Sequence, residues 1–239
     1  MVSRRLVCKF LLDIVYPNRC PVCHKVIKWN ELICHKCEES LSFIDIDLCE
    51  KCGKDVCLDH VLLNFDCVYT VIRYEGSGRD GVINLKSKNG INFAEYFAEK
   101  LYEVLLDREV ADKIDVITAV PMFKRKKQER GYNQAEILAD FLSERLNKPT
   151  DYRLLKRHDT EFAQHELSQS QREEFAEKSY YINEKHKDIN GKTILLCDDV
   201  YTTGATMNKC SALLKEMGAK KVICVAIATT LLKKSHENE

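Results

Sequence analysis

The sequence predicts an α/β protein, a parallel sheet flanked by helices, with a small cysteine-rich domain at its N-terminal end. Three observations point there. Ile194-Leu195-Leu196-Cys197 is an unbroken apolar run, the pattern of a strand buried on both faces of a parallel sheet. Asp115-Val116-Ile117-Thr118-Ala119-Val120 reads as a second buried strand, stopped by Pro121, and each of the two is followed by a stretch with helical apolar spacing. The cysteines are unevenly spread: eight of the twelve lie between Cys8 and Cys57, a compositional shift that marks a domain boundary. The reading is two domains, residues 1–65 and 66–239, and 239 residues suffice to bury a real core in the larger one.

Charge excludes some classes of function. Lys and Arg number 37, as do Asp and Glu, so no global field draws the chain to nucleic acid or to a membrane, and any such binding must come from a local patch. Arg4-Arg5 is followed by an apolar stretch broken by Lys9 and Asp13, too interrupted for a secretory signal or a membrane span. The expected compartment is the cytoplasm, where thiols stay reduced and clustered cysteines favour metal over disulfides.

From the N-terminus, Leu6 to Tyr16 reads as a short amphipathic helix ended by Pro17. Cys20-x-x-Cys23 and Cys34-x-x-Cys37, ten residues apart, have the spacing of a closed tetrahedral zinc ribbon. Four thiolates fill the coordination sphere, so the ion is structural and replaces a core that so short a segment cannot build. His24 and His35 adjoin these cysteines without being expected to coordinate. A second cluster, Cys49-x-x-Cys52 and Cys57-x-x-His60, has only four residues between its pairs; it is either a second zinc site or a remnant that binds nothing.

The main domain opens with the β-like run Cys67 to Tyr74. Gly76, Gly78 and Gly81 predict a loose loop, Val82 to Lys88 leads out of it, and Phe93 to Leu106 reads as a helix. Lys86 and Lys88 either face a phosphate or lie solvated. After Pro121, the basic run Lys124-Arg125-Lys126-Lys127 and Arg130-Gly131 occupies a strand-to-helix loop; the next helix opens at Asn133 with Glu136 in a capping-box position. Lys156 to Phe175 is polar, without Gly or Pro, and is either a hood over a ligand or an exposed connection. Tyr180-Tyr181-Ile182 resumes a strand, Val222 to Ala228 supplies another, and the alternation of strands and helices predicts a parallel sheet.

Chemistry concentrates after the Ile194–Cys197 strand. Asp198 and Asp199 stand at its C-terminal end, where open α/β sheets bind ligands. Thr202-Thr203-Gly204-Ala205-Thr206 follows, and then a helical stretch from Met207 to Met217 that stops at Gly218. Small residues at a helix N-terminus let backbone amides approach an anion, so this loop is a candidate phosphate cradle. It has neither the Gly-Lys-Ser/Thr ending of a Walker loop nor the three spaced glycines of a dinucleotide fold.

Four apolar residues, two acids, two more residues and a Thr-Gly loop resemble the phosphoribosyl-pyrophosphate (PRPP) motif of type I phosphoribosyltransferases. Tyr201 departs from it, standing where that family usually has an aliphatic residue. The resemblance implies that Asp198 and Asp199 face the ribose hydroxyls while Thr202, Thr203, Gly204, Ala205 and Thr206 hold the 5-phosphate. Arg125 and Arg130, with Lys124 and Lys86, would then meet the pyrophosphate, and magnesium would arrive with PRPP. Thr202 stands where the hypoxanthine-guanine branch places an aspartate, which argues against that substrate class.

Val120-Pro121, the arginines before Gly131, and Gly131-Tyr132-Asn133-Gln134-Ala135 narrow the likeness to the ComF family. A weaker match covers Thr160, Gln164, Leu167 and Arg172, with the Thr-to-Gln interval one residue longer than usual. Members join a cysteine-rich ribbon to a phosphoribosyltransferase-like domain, and several serve DNA uptake in competent bacteria. The resemblance implies either a phosphoribosyl transfer enzyme whose acceptor is unspecified, or a non-catalytic adaptor for single-stranded DNA docking to a DNA-uptake translocase.

Overall fold

The computed structural model describes residues 17–44, 48–57, 60, 62–85, 90–158, 179–183 and 188–231. The expected helix at Leu6–Tyr16, Lys86 and Lys88, the match at Thr160, Gln164, Leu167 and Arg172, and the charged tail from Lys233 lie outside them. Within them the chain forms strands β1 (Cys67–Arg73), β2 (Val116–Ala119), β3 (Leu155–Arg157), β4 (Tyr180–Ile182), β5 (Thr193–Tyr201) and β6 (Lys221–Thr229). The helices are α1 (His35–Glu39), α2 (Gly76–Asn84), α3 (Ile91–Asp107), α4 (Lys124–Arg130), α5 (Gln134–Leu146) and α6 (Ala205–Glu216).

The main sheet is parallel, in the order β1-β6-β5-β2. Its period of two divides the central strands between two cores. Leu195, Cys197, Ile223, Val225 and Ile227 pack with Phe93, Phe97, Leu101, Leu138 and Leu142 from α3 and α5. Ile194, Leu196, Val222, Cys224 and Ala226 pack on the opposite face with Met207, Cys210 and Leu214 from α6. Burial on both faces is why β5 and β6 read as continuous apolar runs instead of alternating ones.

Both sheet edges are paired, which removes the hazard of an open strand. On one side Ile117 forms a parallel bridge to Thr150. On the other, residues of the ribbon segment add to β1: the Ile44 amide donates to Val71 O at 2.9 Å and the Arg73 amide to Ser42 O at 2.8 Å. Cys20, Ile27, Ile33, Cys37 and Leu41 of the ribbon share a core with α3, so the ribbon is packed onto the sheet domain.

Three sequence expectations need correction. The glycine-rich stretch is helix α2 and not a loop. A Cβ at Gly78 would stand 2.8 Å from Ile72 Cδ1, and one at Gly81 would stand 2.2 Å from Phe93 Cε2. Their bare backbones let α2 lie flush against β1 and α3, and that packing outweighs a helix-propensity deficit of about 1 kcal/mol each. The basic run is likewise a short helix, α4, closed by Gly131 in the left-handed conformation. Tyr180–Ile182 does not join the parallel sheet: β4 pairs antiparallel with β3, Arg157 opposite Tyr180, in a separate two-stranded ribbon.

The helix expected from Asn133 is α5. Asn133 caps it by accepting from the Ala135 amide at 3.2 Å and donates its own amide to Val120 O at 2.9 Å, which fixes the turn after β2. Glu136 takes Lys127 as its partner, at 2.7 Å.

Candidate functional site

Strand β5 runs four residues past the apolar stretch, so Asp198 and Asp199 lie within its last turn of pleat rather than beyond it. Asp198 falls in register with Ala226 of β6 and on the side of the sheet that α6 covers. The Asp199 amide donates to Asp198 Oδ1 at 2.9 Å, and the two carboxyls interact directly. Burial pushes the Asp198 carboxyl well above the usual carboxylate range, the Asp199 charge adds to the rise, and the charge of Arg157 opposes it. The pair thus sets two carboxyls side by side at the tip of a buried strand, where a cation or hydroxyl donors would favour the ionised form of Asp198 that burial disfavours.

Beyond Tyr201 the chain turns through Thr202 and Thr203, both exposed, to Gly204, whose φ of 82° places it in the left-handed region at the head of α6. The Ala205 amide leans on Thr203 Oγ1 at 3.4 Å. Helix α6 spans 12 residues and its N-cap glycine has no side chain to accept from it, so beyond the Ala205 contact its first turn presents backbone amides and the positive end of the helix dipole. That is the geometry in which backbone N–H groups hold a phosphate.

Arg157 is a cation that acts on the acid pair, and the sequence reading missed it. Its guanidinium carbon lies 3.6 Å from the centroid of Phe123, which follows β2, and 4.9 Å from that of Tyr180 on β4. Arg157 Nε is buried and has no hydrogen-bond partner among the described residues. Burial pushes the Tyr180 phenol up to about 12; Arg157 works against the rise, Cys210 and Asp198 add to it, and the Thr206 hydroxyl is its hydrogen-bonding neighbour. The signal was present in Leu154-Leu155-Lys156-Arg157, an apolar pair running into the cations that open the polar stretch. Nothing local says which way those cations point.

The expected basic residues stand on α4. Lys124, Arg125, Lys126 and Lys127 are exposed and Arg130 is half-buried in the helix's last turn. Arg125 Nε engages Glu129 at 3.0 Å. Arg157 is a cation whose field reaches Asp198.

Both cysteine clusters converge. The four sulfurs of Cys20, Cys23, Cys34 and Cys37 lie within 4.8 Å of one another, as do the ligand atoms of Cys49, Cys52, Cys57 and His60. A tetrahedral zinc with Zn–S bonds of about 2.3 Å spaces its sulfurs about 3.8 Å apart. Cys23 and Cys34 are 3.8 Å apart, Cys52 and Cys57 3.4 Å, and Cys49 Sγ is 3.3 Å from His60 Nε2. Each tetrad fits one structural zinc. His24 and His35 stay out: the first meets Asn84 at 3.3 Å, the second pairs with Glu39 at 3.2 Å.

A parallel sheet with an acid pair and a glycine-turned loop at one strand tip, joined to two cysteine tetrads, defines a phosphoribosyltransferase-like protein with a zinc ribbon. Comparison with known proteins agrees: residues 11–68 match the model described as "Double zinc ribbon domain" and residues 132–239 that described as "Phosphoribosyl transferase domain". Competence protein F of Haemophilus influenzae is 26% identical over 92% of this chain and 93% of its own. Competence protein ComFC of Bacillus subtilis is 24% identical over 81% and 82%, and DNA utilization protein YhgH of Escherichia coli is 25% identical over 94% and 96%. Over most of its length the chain is therefore similar to homologues named ComFC, competence protein F and YhgH, and it joins a double zinc ribbon to a phosphoribosyltransferase domain.

Proposed function

We propose that the protein binds PRPP, or a related phosphorylated ribose, with magnesium at the tip of β5, and that it serves DNA uptake from the cytoplasm during transformation. The observation that carries the reading is that three unlike groups lie about the end of β5: the Asp198–Asp199 pair, the Gly204 turn that follows it, and the Arg157 guanidinium, whose charge acts on Asp198. The turn takes the 5-phosphate. The acids take the ribose hydroxyls. Arg157, with Arg125, Arg130 and Lys124 from α4 and Lys86, takes the pyrophosphate. Asp198 and Asp199 would hold magnesium arriving with the ligand, which would supply positive charge against the departing pyrophosphate.

Transfer from such a ligand breaks the bond between ribose C1 and the pyrophosphate oxygen, and the electron pair leaves with pyrophosphate. Positive charge then grows on the sugar ring beside Asp198 and Asp199, negative charge on the side of the arginines, and groups fixed in advance lower the barrier. An acceptor nucleophile then bonds to C1 in place of the departed oxygen. The reading is supported by the family's competence and DNA utilization members, whose names attach that role to the relatives.

Calorimetric titration with PRPP and magnesium tests it, alongside pyrophosphate release in the presence of candidate amines and bases. Saturable binding that Asp199→Asn weakens by at least about tenfold is expected, since it removes a charge-assisted contact. A flat titration with no thermal stabilisation sinks the reading. Transformation assays with Asp199→Asn then ask whether the biological role needs the ligand.

The second reading, an adaptor for single-stranded DNA that docks to a DNA-uptake translocase, is favoured by one observation: four consecutive exposed cations on α4. Phosphate contacts would make oligonucleotide affinity fall steeply with salt. Affinity unchanged between low and high salt removes this reading.

A further inference from the structure

We propose that Lys54 and Tyr201 form a clasp through which the second cysteine cluster positions the phosphate loop, so that the hold on a sugar 5-phosphate depends on the ribbon. The inference rests on the phosphoribosyl reading of Thr202–Thr206 and adds what keeps that loop in shape.

The clasp is built from both sides. Lys54 sits in the turn between Cys52 and Cys57. Its Nζ donates to Thr202 O and Thr230 O, each at 2.6 Å, and to Thr229 Oγ1 at 3.1 Å, so all three of its protons go to the ends of β5 and β6. The same ammonium lies 4.5 Å from the centroid of the Tyr201 ring. Tyr201 returns the contact: its hydroxyl donates to Cys52 O at 2.7 Å. That carbonyl belongs to a residue of the second tetrad.

The ring also leaves no slack between the two turns. Gly53 and Gly204 both have positive φ, +61° and +82°, and both back onto Tyr201. A Cβ on Gly53 would stand 3.6 Å from Tyr201 Cε1, and one on Gly204 would stand 2.7 Å from Tyr201 Cε2. Past the loop, Asn208 in the first turn of α6 accepts from the Asn64 amide at 2.6 Å and donates to Leu62 O at 2.9 Å. The loop is thus tied at both ends to residues 52–64.

This accounts for the aromatic residue at a position where the resembling family is aliphatic. A branched aliphatic side chain would fill the space, but it would have no hydroxyl for the Cys52 carbonyl and no face for the Lys54 ammonium. An anion site made of backbone amides binds only as well as its loop is fixed beforehand, because ordering the loop on binding subtracts from affinity. Ligation of Cys52 and Cys57 fixes the turn that carries Lys54, so occupancy of the tetrad and affinity for the phosphate are coupled, each raising the other.

The test uses the full chain in wild-type, Lys54→Met and Tyr201→Phe forms. Three quantities are read: zinc content by elemental assay, hydrogen–deuterium exchange of amides 202–208 without ligand, and calorimetric affinity for PRPP and for ribose 5-phosphate. Lys54→Met is expected to keep its zinc, to exchange the loop amides about tenfold faster while those of β2 are unchanged, and to bind both ligands about tenfold more weakly. Equal weakening for the two ligands marks the 5-phosphate loop, which both share.

Unchanged loop exchange in both variants overturns the clasp, and so does faster exchange with full affinity for both ligands. Wild-type protein that binds neither ligand refutes the phosphoribosyl reading instead, and loop exchange then decides the clasp alone. Should Lys54→Met lose zinc or fold, Tyr201→Phe decides, since it keeps the ring and removes only the hydroxyl.

Discussion

The guanidinium of Arg157 stacks on the ring of Phe123 at 3.6 Å, which joins the base of the β3–β4 ribbon to the segment that follows β2. Arg157 is thereby carried to the edge of the main sheet, where its charge acts on Asp198. The stack depends on a flat, delocalised cation, and Lys is no substitute for one. Arg157→Lys should therefore weaken PRPP binding by roughly tenfold, and Arg157→Met, which also removes the charge, by more. Calorimetry on the two variants orders them, and equal affinity for wild type and Arg157→Lys would show that the stack does not position the cation.

Asp198 carries a cost in the ligand-free protein. Its carboxyl titrates above the unfolded value near 3.8, so the folded state binds a proton more tightly than the unfolded one. Between those two pKa values stability falls as pH rises; the penalty is absent below the unfolded value and complete above the folded one. Asp198→Asn removes it. At pH 7 we expect this variant to melt at a higher temperature than wild type while losing PRPP affinity. The gain should vanish in melts run near pH 3.

The two tetrads predict a zinc content of about two per chain. Cys57→Ser should leave about one, with α6 and the main sheet still folded, because the first tetrad shares the α3 core and the second meets the sheet through the Lys54 and Tyr201 contacts. Elemental assay paired with circular dichroism checks this. A wild-type stoichiometry of one would dismiss the Cys49–His60 site.

Gly81 sets two effects of opposite sign against each other. Gly81→Ala in a helix gains about 1 kcal/mol of propensity. Its new methyl would, however, sit 2.2 Å from Cε2 of Phe93, a fully buried ring that itself lies 4.7 Å, centroid to centroid, from Phe97. Overpacking of this kind costs about 1–3 kcal/mol, so the variant should be less stable than wild type in urea melts. A rise in stability would mean that Phe93 has room to withdraw.

Much of the site was legible because its signals are local. The apolar run of β5, the acids at its end, the Thr-Gly turn and the stop of α6 before Gly218 all lie within 25 residues of each other, and the cysteine spacings are shorter still. Period, composition and turn chemistry are properties of neighbours in the chain, and these features need nothing more. The glycines of α2 misled for the same reason: their local meaning is a loop, and only the nearness of Ile72 and Phe93 makes them packing residues.

By itself, then, the sequence determined the class of sheet, the candidate phosphate turn and one set of four metal ligands, with a second set left open until its atoms were seen to converge. Tertiary structure alone decided that the charge of Arg157 acts on Asp198, that Tyr180 belongs to a separate ribbon, and that Lys54 reaches Thr230 across 176 residues. The physical reason is that a side chain's field and hydrogen bonds act through space over a few ångströms, whereas sequence patterns report only which way a chain segment turns next.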